Sequence, residues 1–158
     1  MRAYTATCLL FHKPIGLYSS RIKADIALTS TSANKTRGVF NVKTTTSNAQ
    51  LDVEFNDAPV LSHLFFRGRT TNGQAIATLH ETYEGAFSES TSRWFEAGVH
   101  IDETKKDPSG TGRQRHVSGS GTQRGHAEGK VVWGGSASER RMSFAELTTT
   151  NSPVHFYL

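Results

Sequence analysis

Three segments of this chain share one pattern around an asparagine. They are Thr45-Thr46-Ser47-Asn48-Ala49-Gln50-Leu51-Asp52-Val53-Glu54-Phe55, Arg69-Thr70-Thr71-Asn72-Gly73-Gln74-Ala75-Ile76-Ala77-Thr78-Leu79 and Thr148-Thr149-Thr150-Asn151-Ser152-Pro153-Val154-His155-Phe156-Tyr157-Leu158. Aligned on the Asn, the third, fifth and seventh following positions are apolar in every copy: Leu51, Val53, Phe55; Ala75, Ala77, Leu79; Val154, Phe156, Leu158. The positions between are polar or mixed. Alternate side chains of a strand share a face, so the pattern predicts three strands, each with one buried face. The Thr-rich run before each Asn suits extended backbone.

Asn48 and Asn72 are 24 residues apart, and a fainter copy without Asn follows at Thr91-Ser92-Arg93, 21 residues after Asn72. Thr29 to Asn34 reads as an earlier one. Extended repeats of this length predict an all-β fold built as a β-solenoid-like stack, a β-helix or prism. Asn-Gly between alternating runs is also a hairpin signal, so an antiparallel β-sandwich is the alternative. The structural turns fall at Asn48, Asn72, Gly73 and Asn151, with positive φ expected in the Asn72-Gly73 pair and at Gly73 above all. Ala49 and Ser152 stand where Gly73 stands in the central copy, so those two turns must differ from it.

Residues 1–21 have no clear period and read as an N-terminal leader able to form strand; residues 22–158 read as one β-repeat domain. Strands are expected from the alternation of Ile22, Ala24, Ile26 and Leu28, and at 37–43, 61–66, 85–88, 97–101, 130–135 and 142–147. Lys13-Pro14-Ile15-Gly16 reads as a turn. From 103 to 129 there are six glycines and few apolar residues, which predicts a basic Gly-rich loop, a long hairpin or mobile segment with a short strand near Val117.

Recurring Thr-x-Asn-Gly-like turns, the segment Asp107-Pro108-Ser109-Gly110-Thr111-Gly112-Arg113 and the stretch Gly129-Lys130-Val131-Val132-Trp133-Gly134 carry a resemblance over residues 22–158. The chain resembles an uncharacterised domain family of mushroom-forming fungi, itself similar to bacterial putative-adhesin repeats. The resemblance implies a β-rich repeat domain and brings no catalytic residues.

Cys8 is the only cysteine, so no intrachain disulfide can form. Cys8-Leu9-Leu10-Phe11 is too short for a signal-peptide core and no run approaches a membrane span, so the default expectation is a cytoplasmic chain. Asn34-Lys35-Thr36 fits a glycosylation acceptor that such a chain would not use.

The formal net charge is +4. Lys105, Lys106, Arg113, Arg115, Arg124 and Lys130 against Asp107 and Glu128 supply all of it within residues 105–130. Gly-rich backbone with Arg nearby can cradle an anion, so these six residues are the candidate contacts for an acidic surface, a polyanion or a glycan. The bland alternative is a solvated loop. No aromatic residue interleaves these charges and no Gly-Lys-Ser or Gly-Lys-Thr occurs, so neither a base-stacking loop nor a Walker site is indicated.

His12, His63, His80, His100, His116, His126 and His155 make no metal-site spacing, so no metal and no cofactor is expected; His116 and His126 could meet only across a folded loop. No Gly-x-Ser-x-Gly elbow is present, and Glu81, Glu84, Glu89 and Glu96 read as a solvated sheet face. Trp94-Phe95 and Trp133 would stack on sugars if exposed and fill the core if buried, burial being the more common fate of such residues. The expected function is therefore a non-enzymatic structural or binding module, adhesin-like in character. An anion- or carbohydrate-binding module is the first alternative and a carbohydrate-active enzyme on a β-helix the second.

Overall fold

The computed structural model describes residues 4–11, 21–30, 37–119, 122–134 and 143–158. The Lys13–Gly16 turn, the early repeat beyond Ser30, the Asn34 acceptor, Ser120 and Gly121 lie outside the described residues. Within them are thirteen strands and no helix: β1 (Tyr4–Phe11), β2 (Ile22–Ser30), β3 (Val39–Thr45), β4 (Leu51–Asp57), β5 (His63–Arg69), β6 (Ala75–Thr78), β7 (Gly85–Ser90), β8 (Glu96–His100), β9 (Arg115–Gly119), β10 (Gln123–Arg124), β11 (His126–Trp133), β12 (Ser143–Thr148) and β13 (Val154–Tyr157).

The fold is all-β, two mixed sheets with no closed barrel. A first sheet runs β1-β2-β4-β6-β13-β8-β10 and a second runs β3-β5-β12-β7-β11-β9. From β2 to β8 successive strands alternate between the two sheets, so β2, β4 and β6, and likewise β3 and β5, are sheet neighbours two strands apart in sequence. Most neighbours run parallel: β2 with β4, β4 with β6, β6 with β13 and β13 with β8, and likewise β3 with β5, β5 with β12 and β12 with β7. Antiparallel pairing is confined to the margins, where β1 joins β2, β10 joins β8 and β11 lies between β7 and β9. The final pair, β12 and β13, is inserted between β5–β6 and β7–β8 rather than added at an end.

The alternation pattern places the core. All nine apolar residues of the three Asn-anchored copies are buried. Leu51, Ala75, Val154 and Ala97 form one inward row of the first sheet, and Val53, Ala77, Phe156 and Val99 the next. Facing them in the second sheet, Phe66, Ala145, Phe87 and Gly129 alternate large and small along a row. Phe55 meets Phe66 edge to face at 5.2 Å between ring centres, and Phe156 meets Phe87 at 6.0 Å. Such pairs add about 0.5–1.5 kcal/mol each beyond their area burial.

The turns at the Asn positions stack in the order of the sheets. Thr46 donates its N–H to Arg69 O, Thr70 to Thr148 O and Thr149 to Ser90 O. This register puts Asn48, Asn72, Asn151 and Arg93 at equivalent places. The Asn72-Gly73 segment is not a hairpin, because it carries the chain from β5 in the second sheet to β6 in the first. Nor does it hold positive φ; among the described glycines that conformation belongs to Gly110, Gly112, Gly119, Gly125 and Gly134. Gly73 is glycine for room instead. A Cβ there would collide with the Ala49 carbonyl and lie 2.7 Å from Gln50 N.

Within residues 103–129 the expected hairpin and the strand at Val117 are present, as β9 paired antiparallel with β11; the alternative of a mobile loop is not what forms. These residues hold β9, β10 and the start of β11, with Ala127 buried and Val117 packed on the core. The segment before these strands, residues 107–113, is ordered by Asp107. Its carboxylate accepts hydrogen bonds from the N–H and hydroxyl groups of Ser109 and Thr111, and from the backbone and guanidinium N–H groups of Arg113. Gly110 and Gly112, at φ +68° and +76°, let the backbone curl around that carboxylate. Asp-Pro-Ser-Gly-x-Gly-Arg thus folds as a knot of polar bonds without needing apolar residues.

Candidate functional site

Outward residues alternate with the core residues, so each sheet has an outer face whose rows can be read from the strand register. On the second sheet one such row is Asn41, Phe65, Phe144, Ala86 and Lys130, on β3, β5, β12, β7 and β11. The next row begins Lys43, Arg67 and Glu146. Asn41, Lys43, Phe65, Arg67 and Phe144 line a cleft of about 300 Å³. Its floor is two half-buried phenyl rings on neighbouring strands, and one rim is cationic.

Lys43 and Arg67 are direct parallel partners, and like charges placed opposite each other are destabilising. Glu146 relieves part of this by accepting from Arg67 Nε at 2.7 Å. Lys43 makes no ion pair among the described residues. Arg69 extends the cationic rim along β5 and is exposed. The arrangement offers an anion two or three charged donors beside a flat apolar floor.

The six basic residues singled out in the sequence are not gathered into one site, although Lys105 and Arg115 lie near enough for their charges to oppose each other. Arg113 is bound to Asp107 and, through Nη1 at 2.6 Å, to Glu84. Burial works against its charge, but the two carboxylates outweigh it and raise its pKa. Arg115 is half-buried beside the Trp133 ring and donates to Asp102 O at 3.2 Å. Burial lowers its basicity and that of Lys105, whose Nζ lies 3.5 Å from Leu79 O. Lys106 is exposed, and Arg124 lies on β10 opposite Glu96 in the first sheet. Only Lys130 faces the same side as the cleft, in its Phe65–Phe144 row. Arg113, Arg115 and Lys105 serve to hold the 102–115 segment in place.

The remaining candidates separate in the same way. Trp133 is buried and donates Nε1–H to Glu81 O at 3.0 Å, whereas Trp94 is 72% exposed with the Arg93 guanidinium 4.5 Å above its ring. His116 and His126 do not approach each other by register, since they pair with Val132 and Ser90. His100 and His155 do meet, on the outer face of the first sheet, and His100 stacks on Tyr157 at 4.5 Å. Burial, then the charge of His100, lowers the pKa of His155. Among the described residues no group of three or more His, Cys, Asp or Glu is placed to hold a metal, and no helix is long and apolar enough to cross a membrane.

Glu89 corrects the sequence expectation of a solvated face. It points inward from β7 between Leu147 and Ala127, is 0% exposed, and among the described residues neither oxygen has a partner at hydrogen-bond geometry, the Phe156 backbone N–H offsetting only part of the cost of burial. Burial pushes its carboxyl up to about 8.

The signal for the cleft was present in the sequence as alternation: Phe65, Arg67 and Arg69 at every second position, and Asn41 and Lys43 likewise. What the sequence did not show is that β3, β5 and β12 are neighbours. No protein-family model, no curated protein and no solved structure matches the chain.

Proposed function

We propose that this chain is a non-catalytic binding module, a solenoid-like stack of two-strand coils whose second sheet presents a contact surface for an anionic ligand. The observation that carries the reading is the juxtaposition of Lys43 and Arg67 with the Phe65–Phe144 floor in one cleft. The lining supplies charge, two aromatic faces and the Asn41 amide. It supplies neither a nucleophile with a base nor a pair of carboxylates, the groups on which hydrolysis would rest. The alternation of successive strands between the sheets and the parallel register of equivalent turns support the repeat reading and, with it, the likeness to adhesin-type repeats.

Cations beside half-buried phenyl rings favour a ligand that is anionic and also has flat apolar groups, the chemistry of a single-stranded oligonucleotide. A sulfated glycan offers the charge without the rings. Fluorescence anisotropy with labelled oligothymidine and labelled heparin, each over a range of salt, tests the reading. Lys43→Glu should weaken both ligands and flatten the salt dependence. Phe65→Ala should weaken oligothymidine by about 1–3 kcal/mol and leave heparin nearly unchanged. Heparin binding that equals oligothymidine and ignores Phe65 would reassign the site to charge alone. Binding unaffected by either substitution would remove the cleft from the function.

A further inference from the structure

On the first sheet, away from this cleft, His100 Nε2 and His155 Nδ1 face each other at 3.3 Å across β8 and β13. Between them lies Gly98, the register partner of His155. A Cβ on Gly98 would sit 2.7 Å from His155 Nδ1 and 3.5 Å from His100 Nε2. Both ring nitrogens therefore converge on the same small space above a residue that has no side chain to fill it.

We propose that His100 and His155 form a two-nitrogen chelate for a divalent transition-metal ion such as Zn²⁺ or Cu²⁺, seated above Gly98. The distance is the chelating one. Two imidazole nitrogens bound at about 2.0–2.1 Å in tetrahedral geometry are about 3.3–3.4 Å apart. Imidazole suits Zn²⁺ and Cu²⁺, and hard cations such as Mg²⁺ prefer oxygen. The His100 ring is held in orientation by stacking on Tyr157, with an interplanar angle of 13°. The two strands are locked in parallel register, so the nitrogens are preorganised by the sheet rather than by a loop. Both side chains reach solvent, and water can fill the remaining positions.

A bare imidazole–imidazole hydrogen bond would also give a short N···N distance, and the metal titration separates the two. Zn²⁺ and Cu²⁺ are titrated into the full chain by calorimetry, and the Cu²⁺ complex is read by electron paramagnetic resonance. The wild type should bind one ion, with nitrogen hyperfine coupling from two imidazoles. His100→Ala and His155→Ala should each lose at least about tenfold in affinity, the low end of what losing even an outer partner of a metal ligand costs. Gly98→Ala should do the same by filling the seat, and circular dichroism checks that each variant remains folded. His116→Ala and His126→Ala should bind as the wild type does. No binding, binding that survives loss of either His100 or His155, or coupling to a single nitrogen would overturn the chelate.

Discussion

Asn72 donates its side-chain amide to the Asn48 carboxamide oxygen at 2.6 Å, joining residues 24 apart in sequence across neighbouring turns. Asn151 in turn donates to Asn72 at 2.7 Å, so the three repeat asparagines form one ladder along the turns. Asn72 stands in the middle and makes two ladder bonds, while each end makes one. Net worth per exposed hydrogen bond is about 0.5–1.5 kcal/mol at most. Asn72→Ala should therefore lower the urea midpoint more than Asn48→Ala or Asn151→Ala. Asn72→Asp should not be mild, although Asp is a good turn residue, because its carboxylate would face the Asn48 oxygen with no donor between them. Equal midpoints for all four variants would show that the ladder adds nothing.

Gly73 and Gly110 are glycines for different reasons, and asparagine tells them apart. Gly110 has φ +68° with nothing near its missing Cβ, while Gly73 has ordinary φ and the Ala49–Gln50 backbone against it. Gly110→Ala should cost about 1–2 kcal/mol, the penalty of a left-handed L-residue, and Gly110→Asn should recover much of it. Gly73→Ala should cost about 1–3 kcal/mol through overpacking, and Gly73→Asn should recover none. Chemical denaturation of the four variants is sufficient. Rescue by Asn at 73 would mean that the turn, and not the space, makes the demand.

Glu89 gives the fold a stability that declines with rising pH. Its folded pKa, about 8, lies above the 4.5 of an unperturbed carboxyl, so the folded state holds the proton longer. The contribution is full below about 4.5, falls as pH rises towards 8 and is flat beyond. The drop is on the order of a few kcal/mol. Glu89→Gln should abolish this slope and be more stable than wild type at pH 9. A wild-type midpoint that does not fall between pH 5 and 8 would show that the carboxyl is solvated or paired.

Asp107 acts with the opposite sign. Burial opposes its ionisation, but hydrogen bonds from Arg113 and Ser109 outweigh this and hold its pKa well below the ordinary 3.8. Its stabilisation is present above that ordinary value and is lost as pH falls below it. Asp107→Ala should remove this acid limb and open residues 103–114 to proteolysis. Replacing residues 105–129 by a Gly-Ser linker should destabilise the whole fold, since Ala127 and Val117 leave the core with them. An unchanged melting temperature after that replacement would return the segment to the status of a loop.

Much of the local order was legible. Alternation at 51–55, 75–79 and 154–158 named nine core residues, and the Asn alignment named turns that do stack. For 103–129 the hairpin and the strand at Val117 were legible, while the alternative of a mobile loop came from counting apolar residues. That count misses a segment organised by one carboxylate and two glycines in left-handed conformation. Glu89 was illegible for a related reason: strand parity puts it on the inward face with Phe87, but charge makes an exposed position the natural guess.

By itself, the sequence determined which side chains of each strand face inward, because period-two alternation is a property of the single strand. It also determined the register between the three Asn-anchored segments, because their Asn, Thr and apolar positions recur in fixed order. Only the tertiary structure decided which strand lies beside which. Every strand offers the same N–H and C=O groups at its edges, so backbone pairing does not distinguish one neighbour from another. The choice falls to long-range packing, here Phe156 against Phe87 and Ala145 between Phe66 and Phe87, which seats β12 and β13 in mid-sheet. That insertion brings Phe144 beside Phe65 and His155 beside Gly98 and His100. Both proposed sites thus depend on a neighbour relation that no local pattern encodes.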